Sequence, residues 1–367
     1  MSTGPVTIIP NGALLRPSRP RRLVFAGEAI VDVVMRVPAL PPRGGDLLAS
    51  SAEVTAGGGV NVMAAAARHG LPVLYAGGHG TGPWGDLIRA ALAAEGIGLL
   101  RPPDPDRDTG FDVALVEPDA ERTFVTRLGA ETVGEPDGWA AVPAGPGDAV
   151  YISGYGLAAP ESGAVLGRWA AALPAGALLF VDPGPLAAQI PAAVLGPVLA
   201  RCDWLSCNSR EAALLTSTGL AAPADTLPAG TAPAGTAPVE IFPAEAVPPG
   251  TEGAARRLLA RTAHADVIVR AGAGGCYMAL RSSARPVHVP APEVTAVDST
   301  GAGDAHSGVF LAALADGLSP LAAAARANAA AAFAVTRVGP ATAPTRAQLD
   351  SWPPSGQAEN PGRPRTR

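Results

Sequence analysis

The chain has 367 residues, 48% of them apolar and 16% charged, with a formal net charge of −5. That length and apolar content support one large domain or two ordinary ones with a sizeable core, and the acidic balance argues against a non-specific nucleic-acid binder. All 27 basic side chains are arginines, which excludes a P-loop lysine, Schiff-base chemistry and the lysine of the protein-kinase fold.

Residues 1–21 carry Arg and Pro but no apolar signal core, and read as a flexible leader. An apolar run from Leu23 to Val34 predicts the first strand, followed by a Pro/Gly turn from Pro38 to Gly45. Gly57-Gly-Gly59 reads as a loop opening a helix over Val60 to His69. A strand over Val73 to Ala76 and a helix over Trp84 to Glu95 come next. Thr109 to Arg127 alternates apolar and polar residues around Pro118-Asp-Ala, the pattern of a hairpin. With the stretch Leu47 to Val54 it predicts a small separate sheet, its segments near residues 36–55 and 108–130.

Short apolar strands then alternate with Ala/Leu-rich helices: Ala149 to Ser153, Ala177 to Asp182, Asp203 to Cys207 and Val267 to Arg270. This alternation predicts an α/β fold with a mostly parallel sheet covered on both faces. Residues 221–250 repeat Ala, Pro, Thr and Gly and are expected to be a disordered insertion; residues 346–367 are expected to be a flexible tail. No run is long and apolar enough to span a bilayer. Cys202, Cys207 and Cys276 show neither metal spacing nor a disulfide framework, which suits a reducing, cytoplasmic compartment. The five histidines form no His-x-x-x-His pair, so a zinc site is not expected.

The most informative stretch is Asp298-Ser-Thr-Gly-Ala-Gly-Asp304-Ala-His-Ser-Gly308. Gly301, Ala302 and Gly303 let successive N–H groups converge just before an apolar helix, a layout that favours an anion. Asp304, at the mouth of that nest, suits the removal of a proton from a hydroxyl attacking a phosphoryl group. Asp32 leaves the first strand in Gly27-Glu28-Ala-Ile-Val-Asp32, as a sugar ligand or a solvated loop acid. Gly57, Gly58 and Asn61 offer close backbone approach and a side chain that donates and accepts, or else a capped helix start. Asn208 and Glu211 share one face of a helical turn, able to order water around Mg²⁺ or reach phosphates, although polar helix starts are common.

Together and in this order, the segments resemble the ribokinase-like (PfkB-type) carbohydrate kinase family over roughly residues 22–345. Glu121-Arg122-Thr123 is similar to that family's hairpin tip. The resemblance implies a three-layer α/β/α sandwich with a small β-sheet lid, and transfer of the γ-phosphoryl group of ATP to a sugar hydroxyl. It implies Asp304 as base, with the backbone of Gly301, Ala302, Gly303 and Asp304 as anion hole, and Asp32, Gly57, Gly58 and Asn61 on the sugar. Asn208, Glu211, Arg270, Gly272 and Gly275 match the nucleotide-side motifs, and Asn328 falls beside the adenine. Asp298 and Thr300, with carbonyls near Ala334, Arg337 and Gly339, match a potassium-type cation site of some members. ATP, Mg²⁺, a small sugar and a homodimer formed through the lid are the implied partners. Departures are Ala56 for a glycine, Gly58 for the lysine of ribokinase, Gly82 for an acid, His306 for a frequent Phe, and Ala343 for a polar cation ligand. A nucleoside kinase, or a catalytically silent sugar- or nucleotide-binding protein on the same scaffold, is the alternative.

Overall fold

A computed structural model describes residues 19–118, 122–132, 136–160, 162–217 and 250–352. The expected leader and insertion fall almost wholly outside these, and of the expected tail only residues 346–352 fall within. The strands are β1 (Arg22–Ala26), β2 (Ala29–Arg36), β3 (Ser51–Gly58), β4 (Val73–Tyr75), β5 (Gly98–Leu99), β6 (Phe111–Val116), β7 (Arg122–Arg127), β8 (Asp148–Ser153), β9 (Leu178–Asp182), β10 (Trp204–Asn208), β11 (Asp266–Arg270), β12 (Cys276–Ala279) and β13 (Val287–Val289). The helices are α1 (Val60–Arg68), α2 (Pro83–Ala94), α3 (Pro136–Ala140), α4 (Gly154–Ala158), α5 (Gly163–Ala171), α6 (Ala192–Arg201), α7 (Ser209–Ser217), α8 (Thr251–Arg261), α9 (Ala302–Ala315), α10 (Pro320–Ala334) and α11 (Arg346–Ser351).

Among the described residues nine strands form one sheet in the order β13-β12-β11-β10-β9-β8-β1-β4-β5, all running one way except β12, which is antiparallel to both its neighbours. Side chains alternate across it. Leu23 and Phe25 join a core with Met63 of α1, Ile88 of α2, Phe310 of α9 and Ala323 of α10. Val24 and Ala26 point the other way, to Leu166 of α5, Leu195 of α6, Leu215 of α7 and Leu258 of α8. A sheet buried on both faces needs near-continuous apolar strands, and β8 and β9 are buried at every position. The chain is poor in aromatics, yet Tyr75, Phe25, Tyr151, Phe180 and Trp204 fall in one row across five neighbouring strands. Phe25 stacks on Tyr151 at 5.0 Å and Tyr151 on Phe180 at 5.3 Å, giving the site loops above a stiff floor.

A second sheet, β3-β2-β6-β7, forms the lid. The apolar run from Leu23 to Val34 is therefore two strands rather than one. It breaks at Gly27-Glu28, where a Cβ on Gly27 would come within 2.9 Å of Phe25 and Ser153. The lid accordingly begins at Ala29, and Gly57 and Gly58 end strand β3 instead of forming a loop. Residues 346–351, expected in the tail, form α11. Thr345 and Gln348 make a reciprocal capping box, Leu349 is buried, and Trp352 packs edge-on against Phe333.

Candidate active site

The site lies where the C-terminal ends of the parallel strands meet the N-terminus of α9. Gly301 caps that helix at φ 71°, ψ 4°, a left-handed conformation open to glycine at no steric cost. It turns the chain so that the N–H groups of Gly303 and Asp304 meet no acceptor among the described residues. Ala302 departs from expectation: its N–H donates to Ser299 O at 3.3 Å in the approach turn, leaving two open donors rather than three. Both point out of a helix N-terminus, where an anion is favoured.

Asp304 is the third residue of α9 and half-buried, and its Oδ2 accepts from Asn61 Nδ2 at 3.1 Å. Two helices distant in sequence must approach closely for this bond. Gly308 allows it, since a Cβ there would lie 2.4 Å from Val62 O and 2.7 Å from Ala65 Cβ. Loss of water pushes the Asp304 carboxyl up to about 6. The Asn61 bond opposes the rise, the Asp182 charge adds to it, and Arg270 holds it down.

The lid side of the pocket is acidic. Asp32, on lid strand β2, is buried over Gly57, where a Cβ would lie 2.0 Å from its carboxylate. Gly58 has φ 56° with Glu28 O close by, so a longer residue there would be strained. Ser153 Oγ lies 2.9 and 2.8 Å from the two carboxylate oxygens of Glu28. Burial raises Glu28 to about 8, and burial with the charges of Asp112 and Asp304 raises Asp32 to about 8.

The other side is charge-compensated. Arg270 Nη1, at the end of β11, donates to Asp182 Oδ2 (2.6 Å), Ser206 Oγ (2.7 Å) and Ser307 Oγ (3.2 Å). Its Nη2 lies 3.7 Å from Glu211 Oε2. Burial opposes the Arg270 charge, but Asp182 and Glu211 more than offset it and its pKa is raised. A Cβ on Gly303 would be 3.6 Å from the guanidinium, so Arg270 underlies the open amides. Glu211 and Asn208 bond reciprocally at the start of α7: Glu211 accepts from Asn208 N (2.7 Å) and Nδ2 (2.8 Å), and its N–H donates to Asn208 Oδ1 (2.8 Å). Gly272 has φ 56° and open space around it, and Gly275 backs onto Val289 O and Ala291 N. Buried Asn328 fastens that wall, its Nδ2 donating to Val289 O (2.8 Å) and Pro290 O (3.3 Å).

The lid touches the loop before α9 through Arg122 at the start of β7. Arg122 donates to Ser299 Oγ at 2.6 Å and to Thr300 Oγ1, and lies 3.7 Å from Asp298 Oδ1. Asp298 accepts from Thr300 N (2.9 Å), Thr300 Oγ1 (2.6 Å) and Gly339 N (3.0 Å), while Ala334 O accepts from Arg337 N (3.0 Å). Burial acts to raise Asp298, but the Thr300 and Gly339 bonds and Arg122 outweigh it and hold the carboxyl low. These bonds fix the Asp298 carboxylate beside Thr300 and Gly339 and leave acceptor capacity on its Oδ2. His306 is buried beside Phe310, and burial lowers it to about 3, so it stays neutral in the helix interior.

Several neighbours of Asp304 escape the sequence reading. Ser153 and Asp182 end buried parallel strands, and a polar residue closing an apolar strand is the signal that marks them. Asp112 carries no such mark, because only strand pairing brings it opposite Asp32. Asp108 likewise replaces the acid missing at Gly82: its carboxylate accepts from Trp84 N (3.1 Å) and Gly85 N (2.8 Å) and caps α2 from another segment.

A family model described as pfkB family carbohydrate kinase matches residues 20–241 and 244–346. The chain is 33% identical over 329 residues to the uncharacterized sugar kinase YegV of Escherichia coli K12, covering 89% of this chain and 92% of that protein. Its fold is similar to the ribokinase of Cryptococcus neoformans in complex with ADP, with TM-score 0.70, 21% identity, and 91% and 99% of the two chains covered. It is also similar to the ribokinase of Arabidopsis thaliana complexed with ribose and ATP, with TM-score 0.65, 22% identity, and 90% and 97% covered.

Proposed function

The chain belongs to the pfkB family of carbohydrate kinases, and from that premise we propose that it moves the γ-phosphoryl group of ATP onto a hydroxyl of a sugar or sugar derivative, with Asp304 as general base. The observation that carries this reading is the meeting of the Asp304 carboxylate, the Asn61 amide and two open backbone donors at one helix end.

A sugar hydroxyl is a poor nucleophile until its proton leaves, and a positioned carboxylate is typically worth about 10²–10⁴ in rate. Asn61 holds Asp304 by one oxygen and leaves the other for that proton. The N–H groups of Gly303 and Asp304, with Arg270 beneath them, face the charge that grows on the transferring group; a donor of this type contributes on the order of 10²–10³. Asp32 and Asn61 hold the acceptor, while Asn208, Glu211, Arg270, Gly272, Gly275 and Asn328 build the nucleotide side. Magnesium neutralises charge across the nucleotide phosphates when bound. No group of three or more His, Cys, Asp or Glu side chains able to hold a metal occurs among the described residues. Glu211 spends both carboxylate oxygens on Asn208, so its contact with the ion would run through water. Arg122 draws the lid over the loop and keeps out water, the competing nucleophile.

Exposed Val54 on β3 and Phe124 and Val125 on β7 support a homodimer paired through the lids. Among the described residues no helix is long and apolar enough to cross a membrane. The deciding experiment is ADP release from ATP and magnesium on addition of pentoses, hexoses, keto-deoxy acids and nucleosides. A sugar should stimulate it most; stimulation by nucleosides alone would replace the acceptor class, and none from any alcohol would remove the kinase reading.

A further inference from the structure

The lid brings a second carboxylate to the acceptor side that phosphoryl transfer itself does not use. Asp112 on β6 lies in register with Asp32 on the adjoining parallel strand β2. Both side chains therefore stand on one face of the lid, in a row completed by Thr55 and Thr126. Asp32 and Asp112 are each only 7% exposed. The Oδ1 atoms of Asp112 and of Asn61, itself 5% exposed, have no hydrogen-bond partner among the described residues. No arginine or histidine among those residues pairs with Glu28, Asp32 or Asp112, and the chain has no lysine to supply the charge. Buried acceptors left without donors are costly unless a ligand brings them.

We infer that Asp32 and Asp112 together grip neighbouring donors on the acceptor, and that this makes the enzyme selective for neutral or amino-substituted polyols over sugar acids and sugar phosphates. The inference rests on the kinase reading for the transfer step, but the selectivity belongs to binding alone. Two vicinal hydroxyls, or a hydroxyl beside a protonated amine, supply the N–H and O–H groups that the pair lacks. A carboxylate or phosphate on the acceptor would instead face Asp112 and Asp304, which are ionised at neutral pH, in a site of low water content, and Glu28 and Asp32 add to that charge as pH rises past about 8. Like charges so placed disfavour one another strongly, which rejects the wrong ligand by repulsion. Asp112 thus acts on specificity, while Asp304 alone handles the proton.

The test measures sugar binding to the full chain by calorimetry without nucleotide, beside ADP-release kinetics on the same compounds. Each neutral sugar is paired with its amino, acid and phosphorylated counterparts of the same carbon skeleton. Neutral or amino forms should bind roughly tenfold or more tightly than the acids. Asp112→Asn, which keeps the side-chain shape, should raise KM roughly tenfold while changing kcat little, and should narrow the gap to the acids. A larger loss for the amino than for the neutral sugar assigns the amine as the donor; equal losses assign hydroxyls. Acids or phosphates bound as well as their neutral counterparts would overturn the inference, a result read on the unaltered protein whether or not the variant folds. An unchanged KM in a folded variant would do the same. Selective binding without phosphate transfer would sink the kinase reading and leave this one standing.

Discussion

The two halves of the pocket treat charge in opposite ways. On the Arg270 side, proposed to take the nucleotide, Asp182 and Glu211 are answered by Arg270, Glu211 also by Asn208, and Ser206 and Ser307 accept from Arg270, so the charged groups are paired before any ligand arrives. On the side proposed to take the acceptor, Glu28 has the Ser153 hydroxyl and a backbone N–H, and among the described residues no cation pairs with Glu28, Asp32 or Asp112. A preorganised half holds its geometry and orients phosphates, whereas an unanswered half stores free energy that the right ligand releases. Asp304 stands at the seam, tied to one side by Asn61 and influenced from the other by Arg270.

The comparison breaks most visibly at that seam. Asp304→Asn should lower kcat by about 10²–10⁴ while leaving nucleotide affinity nearly unchanged, as read by steady-state kinetics and nucleotide titration. Unaltered turnover would take Asp304 out of the chemistry. On the paired side, Arg270→Ala leaves Asp182 and Glu211 buried without their cation and should cost about 3–5 kcal/mol in denaturant unfolding. A loss under 1 kcal/mol would show that the network is solvated rather than paired.

Acidity sharpens the contrast further. Asp304 must be ionised to accept a proton, so kcat/KM should fall about tenfold per unit as pH drops below about 6. A flat profile between pH 5 and 7 would contradict this. Folding stability should move the other way. Glu28 and Asp32 near 8, and Asp112 near 6, all lie above their ordinary values. The native chain then holds more protons than the unfolded one between about pH 4 and 8, and stability declines as pH rises through that window. The smallest expected effect has an unusual sign: Asp32→Asn should raise Tm by roughly 2–4 °C at neutral pH while impairing sugar binding. A lowered Tm would mean that the carboxylate is well accommodated without ligand.

What could be read from the sequence was what lies contiguous in it. Asp298 through Gly308 and Gly57 through Asn61 announce themselves because a turn, its donors and a helix start occupy successive positions. The parallel sheet was equally plain from fully buried strands such as Asp148–Ser153. Partners set by register were not: nothing local in Phe111–Val116 says that Asp112 will stand beside Asp32. Nor does the unbroken apolar run after Arg22 reveal that the chain changes sheets within it. The cap at α2 shows the same limit, since Asp108, 24 residues beyond the Trp84 N–H it accepts from, does what the motif assigns to position 82.

Only Gly27 and Glu28 connect β1, third from one edge of the large sheet, to β2 of the lid. Their neighbourhood is pinned, with Gly59 N–H on Glu28 O at 2.9 Å and Ala29 N–H on the Tyr75 hydroxyl at 3.1 Å. A swing of the lid would have to bend this elbow together with the links from β3 into α1, from β5 into β6 and from β7 toward α3, and Asp32 lies only four residues from Glu28. A molecule settling on Asp32 would therefore press on the lid close to this elbow, at the end opposite the one that carries Arg122.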